Sequence, residues 1–310
     1  MKTFLRGLIP LCLFVFVLLQ VPFEEWAGVK KAFHLGPLLV ALSLFFLINM
    51  GSAWITAWLL QIRELGMLTA ILCIFTVWYH ILPSHSGSAS FLYMARNYLK
   101  LSLAESGSAF VFTYVGDTLA LMLFLTGFWA LRPQSILPYY TELTWAVAIG
   151  WIGTGAFVLS LEILSRKNLQ PRAHEGKGPR FHKKLVGWLR NTAFELRKLH
   201  ERRLYLKLIA ASFLIQIVRL VFLSFLLQSV GHTPSLASLL LIYVFLSLSK
   251  TVQTAGGLGT WEASVFLGLR LGEGLPNPAF LAVGSHVIQW IVVGVWGALG
   301  TLYLQRTKST

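Results

Sequence analysis

The stretch SKTVQTAGGLGTWEASVFLGLRLG, residues 249–272, places glycines and polar residues within an otherwise apolar part of the chain. Three closely spaced glycines, Gly256, Gly257 and Gly259, precede the acidic Glu262, and long apolar runs lie on either side. In a water-soluble protein such a segment is an ordinary surface loop, whereas in a membrane protein it interrupts a span. The composition of the whole chain decides between these two interpretations.

The chain is too apolar to form a water-facing surface. Of its 310 residues, 56% are hydrophobic and 12% are charged, and the mean hydropathy is +0.68. A window of roughly 20 residues predicts spans at 5–21, 37–61, 66–82, 108–131, 139–163, 206–228, 234–249 and 278–304. The sequence therefore predicts an all-α polytopic membrane protein, with one transmembrane domain over residues 1–310 and about eight full spans.

The cysteines and histidines of these spans do not suggest a metal site or a cofactor. Cys12 and Cys73 both lie within spans, so neither a disulfide framework nor a thiolate site is indicated. His80 and His85 flank Pro83 without a nearby carboxylate or thiol, which is a weak pattern for a metal ion. We expect these histidines to have a structural role or to contact a lipid headgroup.

Most of the net charge of +14 lies in one loop. Between Arg166 and Lys207 there are thirteen Lys and Arg against three Glu. The positive-inside rule makes this loop, 164–205, cytoplasmic, along with both termini. Its apolar residues alternate with basic ones, which predicts either an interfacial helix on anionic lipid or a solvated loop that only sets orientation. The partner is then a lipid surface and not nucleic acid.

Eight crossings alone would place this basic loop outside, so two further segments are needed. Residues 84–106 and 251–272 each begin with turn-forming residues and continue as a helix. We predict two broken helices that either cross the membrane or re-enter it. Counted as crossings, they give ten elements in two halves, 1–163 and, after the basic loop, 206–310. Five elements per half run in opposite directions, as in an inverted repeat.

A helix that begins inside the membrane presents free backbone N–H groups, which attract anions. Glycines permit the unusual backbone of such a start, and Thr260 is the predicted N-cap of the second broken helix. The alternative is that the glycines only allow close helix packing. The candidate substrate-binding residues at the two breaks are Ser84, His85, Ser86, Gly87, Lys250, Gly256, Gly257 and Gly259.

Ionisable residues within spans are costly and are therefore functional candidates. Arg96 and Arg219 are predicted to bind an anionic headgroup, while Asp117, the only aspartate of the chain, and Glu262 are predicted counter-ions or proton carriers. The alternative is structural, with Arg96 bridging Asp117 and Lys250 bridging Glu262. Glu262 could also complement the dipole of its own helix. His286 and Gln289 add polar groups to the last span.

Two runs of the sequence resemble the flippase-like transmembrane family, which includes the membrane region of lysylphosphatidylglycerol synthases. They are ILPSHSGSASFLYMARNYLKLSLAESGSAFVFTYVGDTLALM, and GGLGTWEASVFLGLRLGEGLPNPAFLAVGSHVIQWI after the basic loop. The most specific pieces are LPSHSG, Arg96, Asp117 and GGLGTWE. Without the soluble aminoacyl-transfer domain, the resemblance implies lipid translocation or handling and not lysine transfer.

We therefore expect a flippase-type transporter of the inner membrane that moves an anionic or polar-headed lipid between leaflets. Its cargo would be a phospholipid, a polyprenyl-phosphate-linked lipid or a hopanoid-like lipid. One alternative is a membrane glycosyltransferase that uses a polyprenyl-phosphate sugar, with Glu142, Glu262 or His85 in place of a metal-binding Asp pair. Another is a scaffold that gathers lipid-synthesis enzymes on the basic loop.

Overall fold

The computed structural model describes residues 33–81, 87–131, 140–166, 205–249 and 258–309. All regular structure within these ranges is helical, and no strand occurs among them. The first predicted span and the interfacial helix of the basic loop lie outside the described residues. The same holds for six candidate site residues: Ser84, His85, Ser86, Lys250, Gly256 and Gly257.

Nine helices make up the described chain. They are α1 (Leu35–Leu60), α2 (Leu65–Ile81), α3 (Ser88–Leu99), α4 (Leu103–Leu131), α5 (Tyr140–Arg166), α6 (Tyr205–Gln228), α7 (Leu236–Ser249), α8 (Thr260–Glu273) and α9 (Ala279–Ser309). Four of them, α1, α4, α6 and α9, contain segments that are long and apolar enough to cross a membrane. The predicted all-helical membrane architecture is confirmed for these residues, whereas the number of full spans remains a prediction.

The long helices pack in antiparallel pairs. At the start of α1, the N–H of His34 donates to the carbonyl of Ser229, which follows α6, over 2.9 Å. Further along the same pair, Gly51 packs against Ile215. In the second pair, Gly66 near the start of α2 lies beside Tyr303 near the end of α9. These contacts show which helix termini lie together at each end of the bundle.

Basic residues gather at one of these ends, which we call the basic end. It holds the end of α1, the start of α2, the end of α3, the starts of α4 and α6, and the ends of α5 and α9. Its described basic residues include Arg63, Lys100, Arg166, Lys207, Arg306 and Lys308. Helix α5 ends at this same end because it runs antiparallel to α4: Trp129 contacts Thr144, and Gly150 packs against Met122.

Helices α2 and α3 form a tight antiparallel hairpin. The rings of Phe75 and Phe91 lie 6.0 Å apart. Gly87 packs so closely on α2 that an added Cβ would lie 2.5 Å from the Cα of Tyr79. The two helices contain 17 and 12 residues, or about 26 and 18 Å at 1.5 Å per residue, and both are shorter than the roughly 30 Å hydrocarbon core.

Helices α7 and α8 form a second antiparallel hairpin. The start of α7 and the end of α8 lie at the end of the bundle opposite the basic end. A Cβ at Gly268 would lie 2.8 Å from the backbone nitrogen of Ile242. At the base of the hairpin, Nε2 of His232 lies 2.8 Å from Oε2 of Glu273, and we call this end the clip end. Each helix has 14 residues, about 21 Å, and again falls short of the hydrocarbon thickness.

The predicted single element at 84–106 is wrong in its bounds. Helix α3 ends at Leu99, because Lys100 takes a left-handed conformation with φ of 58°. The next helix then begins at Leu103 instead of the predicted 108. Ser102 and Glu105 cap its start reciprocally, over 2.8 and 3.1 Å. This is a capping box, which stops one helix and starts the next within the same apolar run.

Candidate functional site

A cavity of about 370 Å³ lies between helices α1 to α4 and helices α6 to α9. The last turn of α2 and the first turn of α8 both border it, so the inner parts of the two hairpins meet at the same space. Aromatic and aliphatic side chains form much of the wall. The polar and charged groups that line it include Asn49, Thr76, His80, Asp117, Arg219, Tyr243, His286 and Gln289.

An ion pair from α4 and α6 lines one part of this cavity. Nη1 of Arg219 donates to Oδ2 of Asp117 over 2.9 Å and to Oε1 of Gln216 over 3.0 Å. The hydroxyl of Tyr243, on α7, donates to the same oxygen of Gln216. We call these four residues the ion-pair cluster. The side chains of Arg219 and Asp117 are 25% and 26% exposed, so the pair is not sealed inside the protein.

This arrangement explains how an arginine is tolerated deep in an apolar helix. A charged side chain within the bilayer is stabilised by an ionic partner and by further hydrogen bonds. Gln216 can supply one of these because it lies one turn before Arg219 on the same helix face. A guanidinium carries five N–H donors, and the two hydrogen bonds above both involve Nη1. Tyr243 also interacts with this guanidinium. Not all of its five donors are taken up by these described residues, so donors remain for a ligand in the cavity.

A second polar group, the amide cluster, consists of Asn49, Thr76, His80 and Gln289. Nδ1 of His80 lies 2.7 Å from the carbonyl of Thr76 and must carry the proton, since a carbonyl only accepts. Nε2 of His80 then accepts from Nε2 of Gln289 over 3.0 Å. The hydroxyl of Thr76 also reaches Oδ1 of Asn49 over 3.3 Å. This network fixes the orientation of the Gln289 amide.

Behind the cavity wall, Glu262 is fully buried at the start of α8. Its Oε2 accepts from the N–H of Gly259 over 2.7 Å, and its Oε1 lies 2.6 Å from Nδ1 of His286. Nε1–H of Trp290 donates to Nε2 of His286 over 3.0 Å, so Nδ1 carries the proton of this imidazole. Both carboxyl oxygens of Glu262 thus accept hydrogen bonds, at the N-terminus of α8.

This geometry corrects the predicted start of the second broken helix. The N-cap is Gly259, with φ of 77°, and Thr260 is the first helical residue. Glycine suits this position because other residues are strained at positive φ. Oε2 of Glu262 accepts a hydrogen bond from the N–H of Gly259, a donor that we predicted would bind an anionic headgroup. Glu262 is paired with His286, and its predicted partner Lys250 lies outside the described residues.

The structure brings some of the predicted site residues together and separates others. Asp117 and Arg219, which are 102 residues apart in sequence, meet at the cavity. Gly87 is buried at the start of α3. Arg96 is exposed on the same helix and does not line the cavity. The alternative in which Arg96 bridges Asp117 is wrong, since the ionic partner of Asp117 is Arg219.

Sequence reasoning missed several polar residues of the site. Gln216 carries a detectable signal, because it precedes Arg219 by three residues in an otherwise apolar run. Asn49, Thr76 and Tyr243 carry none, since single polar residues in apolar helices are common and their partners come from distant parts of the chain. Their contribution depends on the packing of α1, α2 and α7 around the same cavity.

Comparison with known proteins identifies a family. The family model described as "Lysylphosphatidylglycerol synthase TM region" matches residues 4–297, and the chain belongs to this family. The predicted resemblance is thereby confirmed over nearly the whole sequence. Neither a curated protein nor a solved structure matches the chain.

Proposed function

We propose that this member of the lysylphosphatidylglycerol synthase TM region family is a flippase-type lipid transporter of the inner membrane. The family is a membrane domain tied to lipid metabolism or transport. Support for translocation comes from one observation above the others: a cavity with an accessible ion pair lies in the interior of an apolar bundle. Such a cavity offers a polar headgroup an environment that the surrounding hydrocarbon does not.

In this proposal the two hairpins are re-entrant and enter from opposite ends of the bundle. Their helices are too short to span, and each hairpin is antiparallel. The unit α1 to α4 then corresponds to α6 to α9 in the opposite orientation, which is an inverted repeat. Transporters of this kind bind substrate at the interface between their repeats, near the bilayer midplane. The position of the cavity between α1 to α4 and α6 to α9 supports this proposal.

The basic end of the bundle faces the cytoplasm in this proposal. Four crossings, the predicted first span with α1, α4 and α5, then precede the basic loop, and two more, α6 and α9, follow it. This count satisfies the positive-inside rule without requiring either hairpin to cross. Both termini are cytoplasmic, and the basic loop lies against anionic lipid.

The proposed mechanism separates the headgroup from its acyl chains. The phosphate of an anionic lipid enters the cavity and accepts hydrogen bonds from the remaining N–H groups of Arg219, while the acyl chains stay in the bilayer. Asp117 holds the guanidinium in place and offsets its charge. The lipid is then bound strongly enough to enter and weakly enough to leave, as conduction through a membrane site requires.

The test compares four variants in proteoliposomes that contain acyl-chain-labelled fluorescent phosphatidylglycerol. An impermeant quencher added outside measures the fraction of lipid that reaches the outer leaflet. We expect Arg219→Gln to slow translocation about 10- to 100-fold, the equivalent of one charge-assisted hydrogen bond of roughly 1.5–3 kcal/mol. Arg96→Gln removes an exposed arginine and serves as the matched control, with translocation unchanged.

Two further variants separate binding from stability. Asp117→Asn leaves Arg219 without its ionic partner and should increase the phosphatidylglycerol that co-purifies with the protein. The double variant Asp117→Asn, Arg219→Gln removes both charges and should fold but translocate poorly. Normal translocation by the double variant would show that the pair is only structural, and this result would refute the proposed role of the cavity.

A further inference from the structure

We propose that Gln289 is a specificity-determining residue that accepts a hydrogen bond from a hydroxyl of the lipid headgroup. The preferred lipid then carries one phosphate diester and a neutral, hydroxylated headgroup. This inference rests on the proposed function and specifies its substrate class. It is carried by one buried atom that has no hydrogen-bond partner among the described residues.

The atom is Oε1 of Gln289, which lines the cavity. The residue is 7% exposed, and its Oε1 is a buried side-chain atom with no hydrogen-bond partner in the described part of the protein. Its Nε2 is held by His80, so the amide does not turn to satisfy the oxygen elsewhere without losing that bond. Buried polar groups are normally paired, and an unpaired acceptor beside a cavity indicates a donor from the ligand.

The chemistry of the surroundings favours a hydroxyl over an ammonium group. An ammonium brings three N–H donors and a positive charge, and both need compensation. Asp117 is already paired with Arg219, and both oxygens of Glu262 accept hydrogen bonds within the protein. The acceptor offered by Gln289 is a single neutral amide oxygen. One O–H group satisfies it without adding a charge.

The same cavity contains both Oε1 of Gln289 and the proposed phosphate site at Arg219. Arg219 and Gln289 line the same space of about 370 Å³, a volume within the range of roughly 300–1,000 Å³ found for small-molecule pockets. A glycerol phosphate headgroup would place its phosphate at the ion-pair cluster and a hydroxyl at the amide cluster. Free glycerol 3-phosphate has the same chemistry, so the test must distinguish the lipid from the soluble ester.

The experiment measures lipid retained by the detergent-purified protein by native mass spectrometry. The protein is first equilibrated with vesicles of equal parts phosphatidylglycerol, phosphatidylmethanol and phosphatidylethanolamine with identical acyl chains. Phosphatidylmethanol has the same charge as phosphatidylglycerol but lacks the hydroxyls. We expect wild type to retain phosphatidylglycerol about five- to tenfold over phosphatidylmethanol, the contribution of one hydrogen bond. Gln289→Leu should reduce this ratio to about one, with phosphatidylmethanol still retained.

Gln228→Leu removes a glutamine of α6 that does not line the cavity, and it should keep the wild-type ratio. Equal retention of the two anionic lipids by wild type overturns the inference, as does a preference for phosphatidylethanolamine, and neither result needs a variant to fold. Displacement of the lipid by glycerol 3-phosphate would assign the site to the soluble ester and also overturn it. Retention of none of the lipids would instead refute the proposed function.

Discussion

Glu262 shows how a single charged residue is accommodated in the interior of this bundle. The residue is 0% exposed, yet two donors from different helices reach its carboxyl group. One donor, the N–H of Gly259, belongs to the start of the helix that Glu262 itself occupies. The other, the imidazole of His286, joins α8 to α9. The residue therefore caps one helix and fastens it to another, whether or not it also takes part in transport.

We predict that Glu262→Gln destabilises the protein. The amide presents one oxygen to two donors, so either Gly259 or His286 loses its acceptor and faces an N–H group. The expected cost is about 1–3 kcal/mol, that of an unsatisfied buried polar group. Thermal unfolding of the detergent-purified protein measures it. Glu64→Gln, at an exposed position of the α1–α2 connection, is the control, and equal melting temperatures for the two variants would contradict this role.

The single-residue predictions from sequence relied on rarity as their signal, and the functional roles they assign stay predictions. Asp117 and Arg219 stand out in apolar spans, and both line the cavity. Their pairing was not predictable, because the partners are 102 residues apart and meet only through the packing of α4 on α6. Arg96 was predicted to bind the headgroup because the sequence does not show which way a helical side chain faces. An arginine near a broken helix looks the same in sequence whether it faces the cavity or the outside of the bundle.

At the scale of the elements, each hairpin depends on a glycine at its closest approach. The Cβ of an alanine at position 87 would meet backbone atoms of Trp78 and Tyr79, at distances of 2.5 to 2.8 Å. Backbone atoms move less readily than the end of a side chain, so α2 and α3 would have to separate. In the second hairpin, Gly268 has the same relation to the backbone of Ile242.

We therefore predict that Gly87→Ala lowers the stability of the protein and widens the first hairpin. Overpacking typically costs about 1–3 kcal/mol. Gly127→Ala, in α4, is the control, because the added Cβ would meet no described atom within 4 Å apart from the adjoining part of its own helix. It should be neutral or slightly stabilising, since alanine favours helix more than glycine does. Thermal unfolding gives the comparison, and equal stability of the two variants would contradict the close packing.

The helix boundaries were predictable to the extent that breaks carry turn residues. The glycines before Thr260 placed the start of α8 within one residue, because glycine is the residue that tolerates the positive φ of the cap. The break between α3 and α4 was missed. It depends on Lys100 in a left-handed conformation and on the capping box of Ser102 and Glu105, within a run whose hydropathy does not change abruptly.

At the scale of the whole molecule, the two ends of the bundle differ in charge. The basic end carries Arg63, Lys100, Lys207 and Arg306, and it joins the loop with the largest positive surplus. Among the described residues at the clip end, Arg270 and Glu273 carry opposite charges that cancel. Under the positive-inside rule this asymmetry supports the proposed orientation, but it does not distinguish ten crossings from six crossings and two re-entrant hairpins. In both arrangements the hairpin bases lie on the same sides of the membrane.

The depth of α3 in the membrane distinguishes ten crossings from six crossings and two re-entrant hairpins. In a background with Cys12→Ala and Cys73→Ala, we expect Ser102→Cys to react with an impermeant maleimide from the cytoplasmic side and Thr233→Cys from the outside. Ala89→Cys lies on an exposed surface in the first turn of α3. A re-entrant hairpin places it in hydrocarbon, where it should react from neither side until the membrane is dissolved. Reaction of Ala89→Cys from the outside, at the rate of Thr233→Cys, would mean that α2 and α3 each cross, and the proposed inverted pair of re-entrant hairpins would be wrong.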